Sequence, residues 1–385
     1  MIRSTPTVSR DALTRLAGRE VLLKPEHLQR TGSFKIRGAY NRISQLTPQE
    51  AAGGVVAASA GNHAQGVALA AAVSGFHATI FMPAGAALPK IEATRGYGAE
   101  VRTEGDTVDD TIAIATAYAD AHGAVFVPPF DDPRVVAGQG TVGLEIAEEA
   151  PRAEVVVVPV GGGGLIAGVA TALAHVRPEI RVVGVQAEGA ASMRASIDGG
   201  ACVAIDTVAT MADGIAVRSP SELTLAHVRA YVDDVVTVSE EEISRAVVLL
   251  LERAKAVVEP AGAAGLAAVL AGKVAGRGPV VALLSGGNVD PLLLTRLVDH
   301  GLSAAGRYLV LRIVLSDRPG ALATVTGAVA AMGLNVLSVE HHRAGLRLAV
   351  DEVEVVFTLE TRDPEHRGEV VRHLRDEGFR VELLR

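Results

Sequence analysis

The chain has 385 residues, enough for roughly two to three domains of about 150 residues each. Hydrophobic residues make up 49% of it and charged residues 21%, which excludes disorder over most of its length; with aromatics at 3% and no Trp, the core must be built from Ala, Val and Leu. A net charge of −8 leaves no broad basic field, which disfavours nucleic acid and anionic membrane surfaces as main partners.

The single Cys202 excludes an internal disulfide and a multi-cysteine zinc site, and a reducing cytoplasm is the compartment expected. Met1–Arg10 carries charge and hydroxyls without an apolar stretch, so no secretory signal is expected. From there, short Val/Ile/Ala runs alternate with Ala-rich helical stretches. Strands are predicted at Gly54–Ser59, Ala78–Met82, Glu100–Thr103 and Val125–Pro128, with helices at His63–Ser74, Lys90–Tyr97, Asp109–Ala121 and Gly138–Glu149. The pattern resumes with strands Val155–Val158, Arg181–Gln186 and Val280–Leu284 and helices Leu165–Val176, Glu240–Ala256 and Ala261–Ala271. Val155–Ala174 is uncharged and long enough for a membrane span, but Pro159 and Gly161–Gly164 divide it into strand, glycine loop and helix. Alternating β and α with fully apolar strands implies an α/β fold with parallel sheets, whose ligands bind beyond the carboxyl ends of the strands.

After Leu302–Arg307 the pattern changes. A strand at Tyr308–Leu315, a helix from Asp317–Gly320 to about Met332, strands Asn335–His341 and Val353–Leu359, helix Pro364–Glu377 and strand Arg380–Leu384 spell a ferredoxin-like βαββαβ unit. The expected domains are therefore 1–306, with a smaller subdomain at about 41–140 inserted in the larger one, and 307–385.

Four loops carry candidate chemistry. In Thr31-Gly32-Ser33-Phe34-Lys35-Ile36-Arg37-Gly38 a lysine lies between two apolar residues. A solvated lysine is the ordinary reading; a desolvated one loses basicity and becomes an amine nucleophile or Schiff-base former. Ser59-Ala60-Gly61-Asn62-His63-Ala64-Gln65-Gly66 follows a strand directly. It reads either as a turn capped by Asn62 or as backbone N–H groups at a helix N-terminus suited to a carboxylate, with His63 equally a packed residue or an acid–base group. Gly161-Gly162-Gly163-Gly164-Leu165 is costly in chain entropy for a mere turn and lets the backbone wrap a phosphate at the start of a helix. Ser285-Gly286-Gly287-Asn288 puts Ser285 at a strand's carboxyl end, within reach of a ligand heteroatom.

In this order and separation the four loops resemble the fold-type II pyridoxal-phosphate enzymes, and among them the threonine dehydratases (threonine ammonia-lyases). Lys24-Pro25-Glu26-His27-Leu28-Gln29, Gln139-Gly140-Thr141 and Ala212-Asp213-Gly214-Ile215-Ala216-Val217 share in the resemblance, which covers nearly the whole chain. It implies pyridoxal 5'-phosphate as cofactor and α,β-elimination of L-threonine to 2-oxobutanoate and ammonia, with L-serine as a further substrate. On this resemblance Lys35 carries the cofactor covalently, Phe34 packs by its ring, Asn62 hydrogen-bonds its phenolic oxygen, Gly161, Gly162, Gly163, Gly164 and Leu165 hold the phosphate, and Ser285 faces the pyridine nitrogen. Ser59, Ala60, Gly61, Asn62 and His63, with Gln139, would hold the substrate.

The alternatives within the resemblance are a serine dehydratase or racemase, and outside catalysis an amino-acid sensor. Similar racemases carry a second serine where Ala60 stands and pair an acid at Glu188 with an Asp where Arg194 stands, so no metal is expected. The C-terminal unit resembles an ACT domain, with Asp317-Arg318-Pro319-Gly320 and Asn335 as effector contacts for a branched-chain amino acid such as isoleucine or valine. A cytoplasmic homotetramer, with neither nucleic acid nor membrane as partner, is the expected assembly.

Overall fold

A computed structural model describes residues 2–304, 306–343 and 348–384, which form two compact units, Met1–Asp290 and Pro291–Arg385. The first begins with β1 (Val8–Ser9), α1 (Asp11–Ala17), β2 (Val21–Lys24) and α2 (Lys35–Ile43). There follow β3 (Val55–Ala58), α3 (Asn62–Ser74), β4 (Ala78–Met82), α4 (Leu88–Gly96), β5 (Glu100–Thr103), α5 (Val108–His122), β6 (Val125–Phe126) and α6 (Pro133–Glu149). Then come β7 (Val155–Pro159), α7 (Gly164–Val176), β8 (Arg181–Ala187), α8 (Ser192–Gly199), α9 (Glu222–Tyr231), β9 (Asp234–Val238), α10 (Glu240–Leu249), α11 (Pro260–Leu270) and β10 (Val280–Leu283).

Two sheets result. The larger has the order β1-β2-β10-β7-β8-β9 and is parallel except for the short β1; the smaller, β5-β4-β3-β6, is wholly parallel. β7 is buried along its whole length, Val155 to Val158 at 0% exposure, as a strand flanked by neighbours and covered on both faces must be. Each such valine contributes about 1.5–3 kcal/mol of hydrophobic stabilisation. Each sheet has its own core: Val156, Val158, Ile166, Val169 and Leu283 in the larger subdomain, Ile36, Val55, Ile80, Met82 and Val67 in the smaller. α6 lies so close against α7 that a Cβ on Gly168 would come within 2.3 Å of the Val136 carbonyl.

The start of α2 is anchored by buried charge. Arg37 follows Lys35 by two residues, about 200° round the helix, and enters a network with Glu26 (2.7 Å) and Glu145 (2.7 Å). Fully buried Lys24 joins Glu145 (2.7 Å) and Glu149 (2.9 Å), and Thr7 adds a hydrogen bond to Glu149. Burial alone would raise the Glu145 and Glu149 carboxyls, but the hydrogen bonds from Arg37, Lys24 and Thr7 hold both below the usual carboxylate range.

The second unit contains α12 (Pro291–Ala304), β11 (Tyr308–Ser316), α13 (Ala321–Ala331), β12 (Val336–His342), β13 (Glu352–Glu360), α14 (Pro364–Asp376) and β14 (Arg380–Leu383). Its antiparallel sheet runs β12-β13-β11-β14. Leu309, Leu311 and Ile313 on β11 and Val355, Phe357 and Leu359 on β13 turn one face toward Val325 and Val329 of α13 and Val370 and Leu374 of α14. This is the ferredoxin-like order expected, preceded by a helix, α12, that the sequence reading did not assign.

One long helix differs from expectation. Residues 240–256 do not form a single α-helix: α10 stops at Leu249, a π-helical turn spans Leu250–Ala254, and Lys255 closes it in the left-handed region at φ 58°. The chain then runs without regular structure to Glu259, whose backbone is extended.

Candidate active site

The loop before α2 and the loop after β10 are joined by backbone. Phe34 N–H donates to the Ser285 carbonyl (3.1 Å), Gly287 N–H to the Gly32 carbonyl (2.9 Å), and Ser33 bridges Gly286. Ser285 is 4% exposed at the end of β10. Lys35 opens α2 half-buried, with its Nζ 3.1 Å from the Pro129 carbonyl, to which it donates, and 5.2 Å from the Phe34 ring centre. Desolvation lowers this amine to about 8, with Glu259 pulling the other way. An amine of that basicity has an uncharged fraction at neutral pH that grows to a majority above about 8, and the uncharged form is the one that attacks a carbonyl.

The second loop follows β3. Ser59 N–H donates to the Phe81 carbonyl (3.0 Å) and its Oγ accepts from Gly61 N–H (3.1 Å), so the chain turns tightly into α3 at Asn62. A Cβ on Gly61 would meet nothing within 4 Å, leaving the approach to this helix N-terminus open. Ser59, Ala60, Gly61 and Asn62 are half-buried, and the first-turn amides of α3 have no intrahelical acceptor. His63 is buried; its Nε2 lies 2.8 Å from the Val127 carbonyl and must therefore carry the ring proton and donate it. Desolvation first, and Lys35 second, push its pKa down to about 3. Of the two readings of His63 left open by the sequence, the structure supports the packed neutral residue.

Between β7 and α7 the glycine loop is held against three side chains. Gly163 has φ 93°, a conformation L side chains rarely adopt, and a Cβ there would lie 2.6 Å from Met193 Cε. A Cβ on Gly162 would lie 2.3 Å from the Phe130 ring, and Thr224 Oγ1 donates to the Gly162 carbonyl at 2.7 Å. The first helical bond back is Ala167 N–H to the Gly163 carbonyl (2.9 Å), so the amides from Gly164 to Ile166 precede any intrahelical acceptor and are available to an anion.

Sequence reasoning missed Glu259. Its Oε1 accepts from Asn62 Nδ2 at 2.7 Å, while Asn62 Oδ1 accepts from Asn288 Nδ2 at 2.7 Å and Asn288 Nδ2 also donates to the Thr31 carbonyl at 2.7 Å. Burial, then the neighbouring Asp213, raise this carboxyl to about 7 against the pull of Asn62, Lys90 and Lys35. Thr224 and Phe130 were missed as well. Only Glu259 had a legible signal, a single acid inside the apolar run from Ala256 to Leu270.

Gln139 lies on α6 at 1% exposure, its Oε1 3.2 Å from Gly38 N–H, from which it accepts; its amide joins α6 to α2. Glu188 stands 3.7 Å from the Lys273 ammonium, and Arg194 pairs with Asp198 and Asp234. No cluster of three or more His, Cys, Asp or Glu suited to a metal ion occurs among the described residues. In the second unit Asp317, Pro319 and Gly320 are exposed between β11 and α13, where Asp317 N–H donates to the Asp351 carbonyl (2.7 Å). Asn335 instead hydrogen-bonds Glu360 (3.1 Å) beside the opposite end of β11, since Tyr308 pairs with Glu360 and Ser316 with Glu352. Nine strand residues, roughly 30 Å at about 3.4 Å each, separate them, so a single chain does not bring all four together.

These donors suit pyridoxal phosphate: a half-buried amine of lowered basicity, helix-start amides on a glycine loop for a phosphate, and the Asn62 amide held by Glu259 and Asn288. Residues 1–286 match the pyridoxal-phosphate dependent enzyme family and residues 309–379 the ACT domain family. An L-threonine ammonia-lyase of Thermotoga maritima is 48% identical over 385 residues, covering 100% of this chain and 96% of that protein. The processed threonine deaminase isoform 2 of Solanum lycopersicum matches with TM-score 0.75 at 38% identity over 77% of this chain and 83% of the other. Maize serine racemase matches with TM-score 0.74 at 34% identity over 79% and 94%. The chain belongs to the pyridoxal-phosphate dependent enzymes, with an ACT domain following the catalytic fold.

Proposed function

We propose that this enzyme eliminates the β-hydroxyl of L-threonine as water and, as one water is taken up again in hydrolysis of the resulting imine, releases 2-oxobutanoate and ammonia, acting also on L-serine, under the control of an amino acid bound by the ACT domain. The observation that carries the reading is the Lys35 amine, brought to about 8 by burial and bonded to the Pro129 carbonyl, one residue from the Phe130 that packs on the glycine loop, while the neighbouring Phe34 N–H donates to the Ser285 carbonyl. Supporting it is identity of 48% along the whole chain to a protein named L-threonine ammonia-lyase.

When bound, pyridoxal phosphate supplies an electron sink for the pair released at the substrate α-carbon. The protein does the rest. The N-terminal amides of α7, with Gly161–Gly163, bind the phosphate, and those of α3 with Ser59–His63 bind the substrate carboxylate. Lys35 would hold the cofactor and, at Nζ, take the α-proton of the substrate; its lowered basicity keeps a fraction unprotonated for that task. Ser285 would offer a neutral hydroxyl to the pyridine nitrogen. Unlike an Asp, this hydroxyl would not keep the pyridine nitrogen protonated, an environment suited to elimination of the β-hydroxyl.

Racemisation is the second reading, favoured by the match to maize serine racemase. It requires a proton from the face opposite Lys35, and Ala60 has none to give. Steady-state turnover on L-threonine and L-serine, with a chiral assay for D-serine, tests the assignment. Oxo-acid and ammonia release without D-serine is the expected result; D-serine as the main product would replace the reading. The effector contacts of Asp317, Pro319 and Gly320 with Asn335 would be completed across two copies of the chain, consistent with a homo-oligomer, a tetramer on our reading. Among the described residues no helix is long and apolar enough to cross a membrane, and we place the enzyme in the cytoplasm.

A further inference from the structure

We propose that Glu259 is a positioning residue for this reaction: it accepts from Asn62 Nδ2 and, with Asn288 on the oxygen side, holds the amide in one orientation, so that the remaining N–H of Asn62 is presented to the cofactor. The inference rests on the lyase reading and adds to it a residue from outside the four loops.

The hydrogen-bond chain permits only one assignment. The Thr31 carbonyl can only accept, so the Asn288 atom 2.7 Å from it is the nitrogen. That nitrogen also lies 2.7 Å from Asn62, whose facing atom must then be Oδ1. Asn62 Nδ2 is left facing Glu259 Oε1 at 2.7 Å, and with one of its two hydrogens engaged there the other remains for a ligand. Remove the carboxyl and Nδ2 loses its acceptor, leaving the amide held from one side only.

The surroundings are built around this carboxyl. Glu259 is 4% exposed and stands at the cap position before α11, yet its side chain makes no capping bond. A Cβ on Gly286 would fall 2.2 Å from Glu259 Oε1 and 3.1 Å from Asn62 Nδ2, so the glycine leaves the space the pair occupies, and the Gly286 carbonyl in turn accepts Glu259 N–H at 3.1 Å. A buried carboxyl costs more than an apolar side chain in the same place unless a polar partner uses it. The charged groups facing it are Asp213, Lys90 and Lys35, and the net effect of burial and these neighbours places its titration near 7.

The test compares Glu259→Ala, Glu259→Gln and Asn288→Ala with wild type in three measurements: the absorption band of the holoenzyme, the Kd from titrating apoenzyme with pyridoxal phosphate, and kcat and KM for L-threonine. Glu259→Ala is expected to shift the band, weaken cofactor binding and lower kcat about 10- to 100-fold, with KM changed less than about threefold. Glu259→Gln, whose amide carbonyl can accept the same N–H, should return kcat to within about threefold of wild type. Asn288→Ala frees the same amide from its other side and should shift the band in the same direction. The proposal is overturned if Glu259→Ala keeps the wild-type band and kcat, or if Glu259→Gln is as impaired as Glu259→Ala, since the carboxyl would then act through charge or proton transfer. Should Glu259→Ala not fold, an unshifted band in Asn288→Ala overturns it as well. A wild-type enzyme that is colourless and releases no ammonia would instead remove the lyase reading.

Discussion

At Lys35 two demands oppose each other. Burial strips the ammonium of water and lowers its pKa, while the Glu259 carboxyl partly restores it, and the balance stands at about 8. Below that pH the folded apoenzyme holds mostly the charged amine, which cannot attack a carbonyl. The rate at which apoenzyme takes up pyridoxal phosphate should therefore rise with pH and level off through an inflection near 8; stopped-flow absorbance would read it, and an inflection above 10 would mean the amine is solvated. The same lowered pKa bears on stability. Between about 8 and the ordinary lysine value of 10.5 the unfolded apo chain binds the proton that the folded one does not, so stability gains from this group as pH rises through that window. Glu259 has the opposite sign. Its carboxyl is raised from 4.5 to about 7, so its contribution is present below 4.5 and is lost as pH rises toward 7.

Among the elements, the strand–loop–helix β7, Gly161–Gly163 and α7 combines a buried strand, a left-handed glycine and an open helix start. Gly163→Ala would strain a φ of 93° and drive a methyl to 2.6 Å from Met193 Cε. Strain of this kind costs about 1–3 kcal/mol, and we expect cofactor affinity to fall about tenfold or more, measured by apoenzyme titration; unaltered affinity would show that the loop does not hold the phosphate. This element was readable in advance because a run of valines, four glycines and an Ala/Leu helix each announce themselves locally. Long parallel strands and their helices were legible for the same reason. β2 and β9 were not, since Val21–Lys24 is four residues ending in a charge and Asp234–Val238 begins with one. α8, α9 and α12 were missed as well. The π-helical turn after Leu249 has no Gly or Pro to mark it, and the left-handed residue that closes it, Lys255, is not a type that announces that conformation. In the site, residues adjacent in sequence could be read as loops. The partnership of Glu259 with Asn62, 197 positions apart, exists only after folding. So does the separation of Asn335 from Asp317, because strand register rather than sequence proximity decides it.

Across the whole molecule, catalysis and regulation fall to different units. The parallel sheets with every residue of the proposed site lie within Met1–Asp290, and the antiparallel ACT sheet lies within Pro291–Arg385. A chain ending at Gly306 should keep turnover within about threefold of the full protein while losing its response to amino-acid effectors, as expected of units with separate cores. A truncated enzyme that still responds to isoleucine or valine would move regulation into the catalytic fold. The claim on which the account stands is the attachment of pyridoxal phosphate at one lysine. Borohydride reduction of the holoenzyme, followed by proteolysis and peptide mass spectrometry, should find the reduced cofactor on the peptide containing Phe34-Lys35-Ile36; cofactor on any other lysine, or on none, would contradict it.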